Sequence, residues 1–300
     1  MLHVLPCQDS PAAAEACRTV LDIPHERAAE LGRTAVRAAD EGHYLALDGR
    51  RVDWAPLVAR AVAGRRSVRP SARLPRAPAR RFPWTTVVVR NETTLAAAQR
   101  LAARNVRTLT LNFANGENPG GGFLHGALAQ EEALCRSSAL YATLRGDRMY
   151  EAHACRSDPD ASDWIILSPA VPVFRSDAGD PLPEPWLADF ATCAAPQAAV
   201  VGVEESGDLM ESRIRRLFEV AHAYEYEALV LGAWGCGAFA NDPHRIAGIF
   251  HEVLASDFLQ CFSEVDFAIA DFSPDRRYLG PFRDTFARVG APARNAGPAR

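Results

Sequence analysis

Apolar positions recur along this chain with two spacings, and the alternation between them predicts most of its elements. Residues 11 to 20 and 25 to 41 are alanine-rich at helical spacing, and Gly42 supplies a C-terminal stop. Tyr44 to Leu47 and Arg51 to Trp54 flank Asp48-Gly49, strong turn chemistry, which predicts a hairpin followed by a helix from Trp54 to Ala63. Strands are predicted at Thr85 to Arg90, Val106 to Leu111, Trp164 to Leu167, Gln197 to Val203, Ala228 to Leu231 and Glu264 to Ala270. Between them the pattern predicts helices at Thr93 to Arg104, with Thr93 or Thr94 near the cap, after Gln130, at Glu211 to Glu225 and at Pro243 to Ser256. The helix after Gln130 carries apolar residues at Ala133, Leu134, Leu140, Tyr141 and Leu144. Such alternation implies a layered α/β fold with a largely parallel sheet.

Two proline-rich stretches interrupt the pattern. Gly64 to Pro83 turns to Arg, Pro, Ser and Ala, which reads as a domain boundary. The expected division is an N-terminal helical extension and Arg/Pro-rich connector over residues 1–80, a main domain over 81–289, and a tail over 290–300 too rich in Gly, Ala and Pro to carry function. After Leu167, Ser168-Pro169, Pro172, Pro181, Pro183 and Pro185 predict an irregular lid, binding loop or insertion.

The chemistry concentrates where a strand gives way to glycines and then to a helix. Gly120, Gly121 and Gly122 leave main-chain N–H groups unshielded, and eight residues beyond them Gln130, Glu131 and Glu132 open a helix. A flexible loop and ordinary helix-dipole compensation would account for each half separately. Adjacent helical side chains diverge by about 100°, so Glu131 and Glu132 cannot flank one bond as a glycosidase carboxylate pair does. A second strand, glycine loop and helix follows Leu231, with Gly232, Gly235 and Gly237 ahead of Pro243. Both loops leave carboxyl ends of strands, where open α/β sheets collect ligands.

The 300 residues hold 48% hydrophobic side chains and a formal charge of -4, which gives no basic footprint for duplex DNA. All 33 basic residues are arginine, so Arg60 to Arg81 is either a polymer-facing surface or a solvated connector. No apolar run approaches a membrane span, Met1 to Pro6 lacks a secretory pattern, and seven scattered cysteines suit reduced thiols in a cytoplasm. Cys236 is a weak nucleophile candidate, because no histidine is placed to serve it; His244 and His251, seven apart, read as helix-surface residues.

Gly120-Gly121-Gly122, seven residues, then Gln130-Glu131-Glu132 resembles the signature of the poly(ADP-ribose) glycohydrolases, and Leu134-Cys135-Arg136-Ser137-Ser138 with Leu140-Tyr141 is similar to their bacterial branch. The likeness extends over roughly residues 80 to 275 in an order of elements similar to a macrodomain. It implies a three-layer α/β/α sandwich with a mixed, largely parallel sheet. The implied reaction is cleavage of ribose–ribose O-glycosidic bonds of poly(ADP-ribose), mainly from the free terminus, releasing ADP-ribose. By that resemblance Glu132 is the general acid and base, Glu131 holds a ribose hydroxyl and Gln130 orients the site. Gly235, Cys236, Gly237 and Ala238 would offer backbone donors to a diphosphate, Phe239 would pack on the ribose, and Asn112 and Asn115 would lie around ADP-ribose. A helix N-terminus favours an ionised carboxylate, and a bound diphosphate would push the acid back toward its neutral, donating form. The reaction needs no metal or other cofactor. Expected partners are the polymer, ADP-ribose and ADP-ribosylated proteins, met by a monomer. The alternative is a non-catalytic ADP-ribose-binding macrodomain, against which the paired glutamates argue; a dinucleotide oxidoreductase lacks its Gly-x-Gly-x-x-Gly after the first strand.

Overall fold

The computed structural model describes residues 2–290, so most of the expected tail lies outside the described residues. The strands are β1 (Leu2–Val4), β2 (His43–Leu45), β3 (Arg51–Asp53), β4 (Arg66–Val68), β5 (Thr85–Arg90), β6 (Thr108–Ala114), β7 (Ile165–Arg175), β8 (Pro181–Ala194), β9 (Ala228–Leu231) and β10 (Glu264–Ala268). The helices are α1 (Pro11–Leu21), α2 (His25–Glu41), α3 (Ala55–Gly64), α4 (Thr94–Ala102), α5 (Gln130–Ser137), α6 (Leu140–Leu144), α7 (Arg148–Ala154), α8 (Ala198–Val201), α9 (Val203–Ala223), α10 (Pro243–Ser256) and α11 (Leu279–Gly290). None of them is long and apolar enough to cross a membrane.

Eight strands form one sheet in the order β1-β5-β10-β9-β6-β8-β7-β4. From β1 to β8 the pairs are parallel; β8–β7 and β7–β4 are antiparallel. The strands β2 and β3 form a separate hairpin around Asp48-Gly49. The period of two sorts the central strands by parity. Val87, Leu109, Leu111, Leu229, Leu231, Val265 and Phe267 share a core with α9, α10 and α11. Ala228, Val230 and Ala268 meet α4 on the other face, and β7 and β8 meet α2, α3, α5 and α6 on that side. The result is a mixed, mostly parallel α/β sandwich.

Four expectations change. The sheet takes β1 and β4 from the segment before residue 80, so it crosses the expected 80/81 division at both of its edges. The proline-rich stretch after Leu167 is no loop: β7 and β8 pair as a long antiparallel ribbon with bulges between Ser168 and Val171 and between Val173 and Arg175. Pro181, Pro183 and Pro185 recur at every second residue, which puts their missing donors on one edge, and β6 joins β8 only from Asp189 onward. Gln197 to Val203 holds α8 and the start of α9 instead of a strand, the strand having ended at Ala194. The helix after Gln130 is broken between Ser137 and Leu140. Ser138 is extended and bridges Val173, while Ala139 N donates to Pro172 O at 3.0 Å.

Candidate active site

A cleft of about 490 Å³ opens at the carboxyl ends of the parallel strands. Phe113 to Asn115 close β6, Ala195 follows β8, Ala233 to Phe239 follow β9, and Ala268 to Ala270 end β10; all contribute to its wall except the buried Cys236. Helix α5 brings Gln130, Glu131 and Glu132 to the same wall. The two glycine loops therefore leave the same end of the sheet, as strand-end logic requires.

Gln130 clamps α5 to the sheet. Its Oε1 accepts from Phe113 N at 2.9 Å, and its Nε2 donates to Leu111 O at 2.7 Å and Thr94 Oγ1 at 3.2 Å. The side-chain amide thus takes up free backbone groups of β6 like one residue of an added strand.

Glu131 turns inward and is 2% exposed. Its Oε2 accepts from Asn115 N at 2.7 Å and its Oε1 from Asn112 Nδ2 at 3.2 Å. Burial raises its pKa to about 8, against these hydrogen bonds, which favour the ionised form. Asn112 is wholly buried and is itself fixed by Thr192 Oγ1 at 3.1 Å. Both side chains sit at even positions of neighbouring strands and so face α5 together.

Glu132 is 8% exposed and differs in one respect. Its Oε1 accepts from Gly122 N at 2.9 Å, whereas its buried Oε2 has no hydrogen-bond partner among the described residues. A buried, unpaired carboxylate oxygen is costly unless a bound molecule takes up its lone pairs. Of the four carboxyl oxygens of Glu131 and Glu132 it alone is buried without a hydrogen-bond partner among the described residues.

The triple glycine wraps these carboxylates. At Gly121, φ is +58°, and a Cβ would fall 3.1 Å from Glu131 Oε2 and closer still to Glu132 Oε1. Gly120, Gly121 and Gly122 do not line the cleft. They seat the protein's own carboxyl groups where the sequence suggested the phosphates of a ligand. The asparagines divide similarly: Asn115 lines the cleft but turns its Oδ1 to Glu117 N and Asn118 N, at 2.9 and 2.8 Å, and Asn112 lies behind Glu131.

In the second loop Gly235, Gly237, Ala238 and Phe239 line the cleft. Nothing lies within 4 Å of a Cβ built on Gly237, so its main chain is open to an occupant. Cys236 is buried, and desolvation raises its thiol far above the ordinary range, which removes it as a nucleophile. His244 is exposed, but His251 packs edge-on against Phe286 with ring centres 5.7 Å apart. Among the described residues no group of His, Cys, Asp and Glu is arranged to hold a metal ion.

Residues that the sequence did not single out complete the wall. Leu21 and Asp22 arrive from the end of α1, and Ile269, Phe272 and Tyr278 from the segment after β10. The strand prediction at Glu264 to Ala270 already placed that segment at the binding end of the sheet. Nothing local marked Leu21 and Asp22. No residue from Arg60 to Arg81 lines the cleft. That segment runs along α9, where Arg216 donates to Arg69 O and Ala72 O, and ends with Arg81 bonded to Tyr226 O and Glu225 O ahead of β9. These bonds tie the segment to the fold at two places.

Comparison with known proteins agrees with this geometry. Residues 32–176 match the family model for the microbial-type PARG catalytic domain. A mutant poly(ADP-ribose) glycohydrolase from Thermomonospora curvata superposes with a TM-score of 0.80 at 39% identity, covering 87% of this chain and 99% of that one. The same enzyme bound to the inhibitor ADP-HPD gives 0.78 at 40%, covering 88% and 99%. The poly(ADP-ribose) glycohydrolase from Deinococcus radiodurans in complex with ADP-ribose gives 0.70 at 35%, covering 78% and 98%. The curated proteins contain no match.

Proposed function

The chain belongs to the microbial-type poly(ADP-ribose) glycohydrolases, and from that premise we propose that its cleft holds an ADP-ribose unit of the polymer while Glu132 cleaves the bond to the next ribose. The observation that carries the assignment is Glu132 Oε2, the carboxylate oxygen without a protein partner at the cleft wall.

Hydrolysis of a ribose–ribose O-glycosidic bond passes through an oxocarbenium-like state, and protonating the departing oxygen is the main assistance available. The protonated Glu132 carboxyl gives its proton to that oxygen as the glycosidic bond breaks. The resulting carboxylate takes a proton from the water that attacks the anomeric carbon, which restores the acid. Glu131, gripped at both oxygens, positions a ribose hydroxyl and the Asn115 backbone. The open main chain at Gly237 and Ala238 suits a diphosphate, Phe239 a ribose, and the apolar end with Ile269, Phe272 and Tyr278 an adenine ring. The enzyme acts mainly from the free terminus, a reading supported by α1, which adds Leu21 and Asp22 to the cleft wall from outside the sheet and its glycine loops.

Release of ADP-ribose from long polymer, separated by length at early times, tests both statements. Glu132→Gln is expected to keep ADP-ribose binding while turnover falls by about 10²–10⁴, the usual loss with a general acid. Normal turnover in that variant overturns the assignment, and early abundance of short oligomers overturns the terminal mode.

A further inference from the structure

The aromatic end of the cleft stands on a segment that one carboxylate ties at both ends. Between β10 and α11, Asp271 Oδ1 accepts from Ser273 N at 2.9 Å and Ser273 Oγ at 2.5 Å. Its Oδ2 accepts from Tyr278 N at 2.9 Å and Leu279 N at 3.0 Å. The first pair fixes the chain beside Phe272, and the second fixes Tyr278 and starts α11. Asp271 is 2% exposed, and hydrogen bonds from Ser273, Leu279 and Tyr278 outweigh its burial and hold its carboxyl below the usual range.

The backbone of Asp271 is gripped as well. Its N donates to Asn91 Oδ1 at 3.0 Å and its O accepts from Asn91 Nδ2 at 2.7 Å. Asn91 also donates to Asp9 Oδ1 at 2.8 Å, and Asp9 Oδ2 accepts from Arg276 Nε at 2.9 Å, inside the same segment. Two stretches distant in sequence, at Asp9 and Asn91, therefore converge on the segment 272–278 that presents two rings to the cleft. Phe272 is 43% exposed, so burial in the core does not by itself fix where its ring stands.

We propose that Asp271 is a positioning residue for substrate recognition: it fixes Phe272 and Tyr278 as the platform for the purine base of the bound unit. This rests on the glycohydrolase reading above and assigns the base-binding end of that site. A carboxylate is the right group because all four partners are donors and an ionised carboxylate only accepts. Asp271→Asn keeps the shape but turns an N–H₂ toward two of those donors, which releases one end of the segment.

The test is a split between recognition and chemistry. In Asp271→Asn, KM for polymer and the Kd for ADP-ribose are expected to rise roughly tenfold, the scale of losing a base–aromatic stack, while kcat at saturating polymer stays at the wild-type value. Combined with Phe272→Ala and Tyr278→Ala, the same substitution should add little, since its effect passes through those rings. Ser273→Ala, which removes one of the four bonds, should raise KM in the same direction by less. Unchanged KM in a folded Asp271→Asn protein, an additive effect in the ring-free background, or wild-type KM for Ser273→Ala where Asp271→Asn does not fold, overturns the proposal. Absence of ADP-ribose release by the wild-type protein would instead overturn the glycohydrolase reading.

Discussion

Replacing Gly121 with alanine puts a methyl group into the space that the two catalytic-site carboxylates occupy. The built Cβ lies 3.1 Å from Glu131 Oε2, 3.2 Å from Glu132 Cδ and nearer still to Glu132 Oε1, where ordinary contact is 3.4–4 Å. Relief requires the Glu132 carboxylate to retreat by roughly 1 Å, and a misplacement of that size costs about 10² in rate. The backbone adds a second effect, because φ of +58° disfavours any residue with a Cβ by about 1–2 kcal/mol. Gly146 separates the two: its φ is +71°, with nothing within 4 Å of a built Cβ. Gly146→Ala should therefore lose stability alone. Gly121→Ala should lose comparable stability and also about 10² in kcat, with ADP-ribose binding largely kept because the loop after β9 is untouched. Turnover of polymer, calorimetric titration with ADP-ribose and thermal melts of both variants measure all of this. Wild-type kcat in Gly121→Ala would refute the claim that the triple glycine exists to seat these carboxylates.

Burial holds the Glu131 carboxyl at about 8, against an ordinary 4.5, so the folded protein keeps a proton that the unfolded chain releases. That contribution to stability is whole below pH 4.5, declines as pH rises, and is lost once pH passes 8. Glu131→Gln cannot ionise, so its melting temperature should gain on the wild type as pH rises through that window; a constant difference would contradict the assignment. Gly237→Val meets open space and no positive φ, so it should melt close to the wild type yet bind ADP-ribose more weakly. An unchanged dissociation constant would move the diphosphate away from this loop.

Local chemistry determined element ends and turns that the spacing of apolar residues leaves open. Ser10 and Thr93 accept from the third residue beyond them, Gly42 ends α2 at φ 76°, and Asp48-Gly49 turns the small hairpin, all as interactions within a few residues dictate. The spacing from Gly120 to Glu132 likewise brought the glycines and the paired glutamates together, because a short loop leading into one helix leaves little freedom in where its ends meet. Tertiary structure decided what depends on partners remote in sequence. Whether Pro172 to Pro185 is loop or strand turned on the presence of β7 and an open edge, and the break at Ser138 on the Pro172 carbonyl. The surroundings of the glycines were decided by which group reaches them, the Glu132 carboxyl from a helix that Gln130 clamps to β6. Leu21, Asp22, Phe272 and Tyr278 meet one cleft only because the sheet brings the carboxyl ends of distant strands together. Hydrogen bonds such as those of Asn91 to Asp271 and to Asp9 then hold that meeting in place, and pairing across such distances leaves no mark in local sequence.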